Sequence, residues 1–144
     1  MNIINLIAQW FRSLFRSTTV EGRRDNQGSL ELLPVVFASI NVVKKAPRND
    51  EIIAGELYAV APSDRPKWTL FLCPCGCGSV VTLPLQQVHQ PHWKLIRTHA
   101  GRPELFPSVW RDKGCLSHFW IKDGRVSWCR DTGLHPDLRK LGSE

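Results

Sequence analysis

His118-Phe-Trp-Ile-Lys-Asp-Gly-Arg-Val-Ser-Trp-Cys129 carries the clearest structural signal in the chain. Asp123-Gly124 readily takes positive φ at two successive positions and separates two runs rich in β-branched and aromatic residues. That is the sequence form of a two-residue β-hairpin. Strands are predicted over His118–Ile121 and Arg125–Cys129. In the second, Val126 and Trp128 alternate with Arg125 and Ser127, so one face is expected to be buried and the other wet.

Upstream the same texture repeats: short apolar runs cut by Gly, Pro, Asn and Asp. Strands are expected over Ile52–Val60, Trp68–Leu72, Ser79–Leu83 and Trp93–Arg97. The fold class is therefore mainly β (α+β), a small sheet domain preceded by one helix. The helix is read at residues 1–16, where Ile3, Ile7, Trp10, Phe11 and Leu14 recur at helical spacing. At that length it falls short of the roughly 20 apolar residues a membrane span needs. Its basic residues follow the apolar ones and no cleavage site is evident, so it is a poor signal peptide. It is expected to dock on a partner or a membrane surface, with packing on its own domain as the alternative. A polar, turn-rich linker follows at 17–29, then the β domain at 30–133 and a polar tail at 134–144.

Two cysteine-containing stretches punctuate this pattern. Cys73-Pro-Cys-Gly-Cys-Gly places cysteines at 73, 75 and 77, and Cys115-Leu-Ser-His118 adds a second pair. Three residues separate Cys73 from Cys77 and two separate Cys115 from His118, which is the spacing of structural zinc ligands. Five candidates compete for four places. Buried structural thiols are one alternative, but the Pro and Gly around Cys75 build a turn open to an ion. A disulfide framework is the other. The cysteine count of 5 is odd and no secretory signal is read, which points to a reducing compartment, the cytoplasm. Cys129 reads as a lone thiol or a spare ligand on the face opposite a buried Trp128. His89, His92 and His99 read as exposed loop histidines, and Trp93, Trp110, Trp120 and Trp128 as core or interface residues.

Ser108, in Phe106-Pro107-Ser108-Val109, lies in what reads as the connection before Cys115. A serine becomes a nucleophile when a base takes its proton. His118 is the candidate base, with Asp131 or Asp123 to orient it. A turn or helix cap is the plainer reading of a Pro-Ser pair. The two readings of His118 exclude each other, because a metal-bound imidazole nitrogen has no lone pair for a proton. A catalytic His118 leaves Cys73, Cys75, Cys77 and Cys115 to hold the metal; a ligating His118 leaves Ser108 without an obvious base. Hydrolysis at the metal itself would need an open coordination position, and thiolate-rich sites are usually closed.

The net charge of +6 and pI near 9.4 permit an acidic partner. Lys and Arg are nevertheless scattered, with no basic stripe, interleaved aromatics or nucleic-acid motif, so a solvated surface is the better reading and nucleic acid is not an expected partner.

The order Gly55-Glu-Leu-Tyr58, Cys73-Pro-Cys-Gly-Cys-Gly-Ser-Val-Val-Thr-Leu-Pro-Leu, Trp93-Lys-Leu, Pro107-Ser-Val and Cys115-Leu-Ser-His-Phe-Trp-Ile-Lys-Asp-Gly-Arg-Val-Ser-Trp128 resembles a small bacterial family of ubiquitination-like (Bub) operons, BubE-like. The resemblance spans roughly residues 50–130. It implies a bacterial protein acting beside a ubiquitin-like modifier and its activating and conjugating enzymes, as a peptidase that processes the modifier or removes it from targets. Carried over by position are Cys73, Cys75, Cys77, Ser108, Cys115 and His118. Where the family continues Ile-Gly-Asn after the serine, this chain has Val109-Trp110-Arg111. The expectation is then a serine peptidase with Ser108, His118 and Asp131 in its site and Cys73, Cys75, Cys77 and Cys115 on a structural Zn2+. The alternative is a non-catalytic zinc module that binds the modifier or a conjugation enzyme, with His118 as the fourth ligand.

Overall fold

The structure, a computed structural model, describes residues 33–137. The expected helix at 1–16 and the linker at 17–29 lie outside the described residues, as do positions 138–144 of the tail. Among the described residues there is no α-helix, and no helix is long and apolar enough to cross a membrane.

Eight strands form two four-stranded sheets. The first takes β1 (Ile40–Val43), β2 (Leu57–Val60), β3 (Trp68–Leu72) and β4 (Val80–Pro84) in that order, with β1 and β2 parallel and the rest antiparallel. The second takes β5 (Lys94–Arg97), β6 (Pro103–Trp110), β7 (His118–Lys122) and β8 (Arg125–Trp128), antiparallel throughout. Period-two alternation explains how they join. Leu57, Phe71, Val81 and Leu83 of the first sheet and Leu105, Val109, Phe119, Ile121 and Val126 of the second share one core with Phe37. Phe71 bridges that core, edge-on to Phe37 at 5.4 Å and to Phe119 at 6.4 Å. The opposite face of the first sheet carries a smaller cluster, Ile52, Tyr58, Val60 and Leu70. β2 is thus buried on both faces, as its unbroken apolar run requires.

The 118–129 hairpin forms around Asp123 (φ 46°) and Gly124 (φ 71°), left-handed at both positions as a type I′ turn demands. The Gly124 carbonyl accepts from the backbone N–H groups of Val36 and Phe37, each at 2.9 Å, and its own N–H donates to Pro103 at 2.7 Å. A Cβ here would lie 2.1 Å from the Phe37 carbonyl oxygen, so this turn admits only glycine.

Three expectations are corrected. The strand expected over Ile52–Val60 begins only at Leu57, because Gly55 turns at φ 81° and packs against the Val36 carbonyl. Residues 103–110, read as a connection, are the longest described strand; Pro103 starts it and Pro107 falls at a register shift, the two places a sheet tolerates proline. Trp128 is 46% exposed rather than buried, with its ring edge-on to Phe119.

Candidate active site and metal centre

Ser108 owes its position to that shift in β6. Leu105 pairs with Ile121 and Val109 with Phe119, so three residues of β6 face one of β7 across the interval. Pro107 has no N–H to give the ladder, and the strand bulges at 106–108. Val109 returns to the core, while Ser108 and Trp110, two residues apart, face outward with His118, the cross-strand partner of Trp110. The Trp93 indole N–H donates to the Ser108 carbonyl at 3.3 Å and ties the bulge to the segment leading into β5.

Ser108 Oγ lies 2.9 Å from His118 Nε2, and His118 Nδ1 lies 2.6 Å from Asp131 Oδ1. The carboxylate can only accept from Nδ1–H, which leaves Nε2 as the acceptor for the serine hydroxyl. The imidazole is buried, with 8% of its side chain exposed. The Trp110 ring lies flat on it, with centroids 4.2 Å apart and planes 1° apart. The Trp110 indole N–H donates to the Leu134 carbonyl at 3.1 Å. The segment after β8 folds back to supply Asp131: the Thr132 hydroxyl accepts from the His118 N–H at 3.0 Å, and the Gly133 N–H donates to the Leu116 carbonyl at 2.9 Å.

Asp123, the other carboxylate considered for the imidazole, stands at the far end of β7. Five residues, about 17 Å of extended chain, separate it from His118. It accepts from Thr98 Oγ1 at 2.7 Å and pairs with Arg102 and Arg125 at 2.8 and 2.7 Å. The Thr98 hydroxyl bond and the two guanidinium groups hold its carboxyl below the usual carboxylate range. It locks the hairpin turn.

The four cysteines expected to bind metal also converge. Cys73, Cys75 and Cys77 sit in the β3–β4 loop and Cys115 in the β6–β7 loop, with their sulfurs all within 4.8 Å of one another. Cys73 Sγ is 3.4 Å from Cys75 Sγ and 3.8 Å from Cys115 Sγ. A zinc tetrahedron with Zn–S near 2.3 Å has edges of about 3.8 Å, so the donor type and these two separations suit that ion. The two loops belong to different sheets; the cluster joins the sheets rather than two halves of one. Leu116, at φ 53°, makes the turn that sends Cys115 to the sulfurs and His118 into β7. His118 is not among the four, and neither are His89, His92 and His99.

The charges around the sulfurs differ sharply. Burial pushes the Cys73 thiol up to about 12, whereas side-chain and backbone bonds from Ser79 bring Cys77 down to about 6. Burial opposes ionisation of Cys115 as well, but bonds from Ser117 outweigh it and its pKa is lowered; the Ser117 hydroxyl is 3.2 Å from the sulfur. The Arg111 guanidinium stands 3.9 Å from Cys77 Sγ. Burial works against its charge, but Cys73, Cys115 and Cys77 hold it protonated. Held as four thiolates, sulfurs this close would require a cation, and Zn2+ bound by them would leave a residual negative charge that Arg111 and Ser117 are placed to offset.

Cys129 lies on the face opposite Trp128, as expected, and stands there beside the imidazole: a ring nitrogen of His118, a carboxylate oxygen of Asp131 and Cys129 Sγ lie within 4.8 Å of one another. Trp110, expected in the core or at an interface, instead covers the His118 imidazole. That role depends on its register opposite His118, a pairing visible only once 103–110 is recognised as a strand.

Searches among curated proteins and solved structures find no match to this chain. A family model described as the bacterial ubiquitination-like system serine protease (BubE) matches residues 42–129. The match covers more than half the chain and contains Ser108, His118 and all four clustered cysteines, with Asp131 two residues beyond its end. The chain belongs to the family of bacterial ubiquitination-like system serine proteases.

Proposed function

We propose that this chain is a serine peptidase that hydrolyses the bond between the C-terminus of a ubiquitin-like modifier and its extension or target. The observation carrying this reading is the relay Ser108 Oγ–His118 Nε2–His118 Nδ1–Asp131, with contacts of 2.9 and 2.6 Å, in a chain of this family. Ser108 Oγ attacks the scissile carbonyl carbon as its proton passes to Nε2. Asp131, accepting from Nδ1–H, holds the tautomer and stabilises the imidazolium that forms. The flat Trp110 face restricts ring rotation and adds an attractive face for the cation. The imidazolium then protonates the leaving amine, and water hydrolyses the acyl-serine with His118 again as base.

Cys73, Cys75, Cys77 and Cys115 would hold a structural zinc. With all four positions filled by thiolates, it would clamp the β3–β4 loop to the β6–β7 loop and leave no open position for substrate. The β6–β7 loop joins the strand of the nucleophile to the strand of the base. The clamp therefore bears on the geometry of the relay.

The test is cleavage, read by mass spectrometry, of a cognate ubiquitin-like protein carrying a C-terminal extension. Wild type should release the extension and Ser108→Ala should not, with fold and metal content unchanged. Equal cleavage by both would sink the reading, and no cleavage by a folded, zinc-loaded wild type would favour a binding module.

A further inference from the structure

We propose a second, inhibitory transition-metal site at the relay itself, formed by His118, Cys129 and Asp131. The ligand atoms of these three residues lie within 4.8 Å of one another, and none belongs to the four-sulfur cluster. Their juxtaposition is built by the sheet. The Cys129 N–H donates to the His118 carbonyl at 2.9 Å, which fixes Cys129 across the ladder from the base, and the following turn returns Asp131 to the same imidazole. Imidazole, thiolate and carboxylate are the donor types of an open zinc site, three protein ligands with a fourth position left for water. Tetrahedral edges of about 3.3 to 3.8 Å are reached if separations near the 4.8 Å limit close by about 1 Å and, with metal on Nδ1, the 2.6 Å contact to Asp131 opens by less than that. The charges also balance: one thiolate, one carboxylate and a neutral imidazole neutralise a divalent ion, whereas the four-thiolate centre needs Arg111 beside it. The sulfur selects Zn2+, Co2+ or Cd2+ over Mg2+ and Ca2+. His118 is buried, but Cys129 and Asp131 are each partly exposed, so an ion reaches the set from their side.

Binding releases the thiol proton of Cys129 to solvent and occupies a ring nitrogen of His118. Metal on Nε2 removes the acceptor for the serine proton, and metal on Nδ1 breaks the bond to Asp131; either way Ser108 loses its base. The inhibition rests on the peptidase reading of Ser108, but the metal site does not.

The experiment uses the zinc-loaded full chain at buffered free Zn2+, comparing wild type with Cys129→Ser and Cys129→Ala. Equilibrium zinc stoichiometry and the rate of Ser108 labelling by a fluorophosphonate probe are both recorded. Wild type should bind a second, chelator-removable zinc equivalent, with labelling falling at the same midpoint. Both midpoints should shift by at least about tenfold in the Cys129 variants, since even loss of an outer-shell partner commonly costs that much. Mg2+ and Ca2+ should do nothing. Absence of a second equivalent in wild type, or unchanged binding in both variants, overturns the site. A wild type that is never labelled, even without added zinc, would count against the peptidase reading, while the stoichiometry would still decide the site.

Discussion

Replacing Asp131 by Asn isolates the part of the relay that depends on charge and tautomer from the part that depends on shape. The carboxylate accepts from His118 Nδ1–H over 2.6 Å, on a ring whose side chain is 8% exposed and whose other face is covered by Trp110. Asparagine preserves the volume. Presenting its NH2 to Nδ1 forces the proton onto Nε2, where it faces the Ser108 hydroxyl 2.9 Å away. The base then has no lone pair for the serine proton, and the imidazolium loses the anion that stabilises it. The same change in a Ser-His-Asp protease lowers kcat about 10⁴-fold, or roughly 5.4 kcal/mol at 1.36 kcal/mol per decade. A loss of about 10³- to 10⁴-fold is expected here, with the melting temperature close to wild type because Asp131 is partly exposed and the volume is kept. Stopped-flow or gel-based labelling with a fluorophosphonate reports Ser108 reactivity whatever the natural substrate is, and differential scanning fluorimetry reports the fold. An Asp131→Asn protein that labels within about tenfold of wild type would show that Asp131 is a structural neighbour of His118 and refute the assignment.

Trp110→Ala removes the plane that holds the imidazole and should lower kcat by roughly 10- to 100-fold with KM little changed, on the rule that misplaced catalytic groups cost about that much; Trp110→Phe should recover most of it, and failure of that rescue would leave Trp110 as packing alone. Cys73→Ser, at the most buried sulfur of the cluster, should reduce bound zinc from about one equivalent to near zero by plasma emission spectrometry. It should also slow Ser108 labelling through the β6–β7 loop, whereas full zinc retention would contradict the four-thiolate centre. Gly124→Ala meets the Phe37 carbonyl at 2.1 Å from a φ of 71°. It should cost about 3 kcal/mol in denaturant unfolding, and a loss below about 1 kcal/mol would mean that the hairpin turn relaxes freely.

The candidate metal site and the candidate relay are legible in the sequence to different degrees, and the reason is geometric. Metal ligands announce themselves locally, because a zinc site needs sulfur donors at short spacing on a turn, and Cys73, Cys75 and Cys77 satisfy that within five residues. A hairpin is equally local, and Asp123-Gly124 declares it. The relay is not local. Its serine stands on a strand concealed by its own prolines, Pro103 and Pro107, which read as loop residues until the bulge at 106–108 shows what they permit. Its carboxylate lies in a turn after the hairpin, where sequence alone offers Asp123 and Asp131 on equal terms. The two sit at opposite ends of the hairpin, Asp123 at the tip and Asp131 just past the end of β8, so folding sends one to Arg102 and Arg125 and the other to His118.

The register of β6 against β7 also bears on the competition for His118 that the spacing leaves open. Cys115 and His118 have ligand spacing, but Leu116 at φ 53° turns the chain between them. Cys115 is left with the sulfurs of the first sheet, and His118 enters β7 opposite Trp110. Three residues are enough to hand the chain from one centre to the other. On the proposed roles, occupancy of the four-cysteine site and reactivity of Ser108 are expected to be linked through residues 111–117, although no ligand is shared between them.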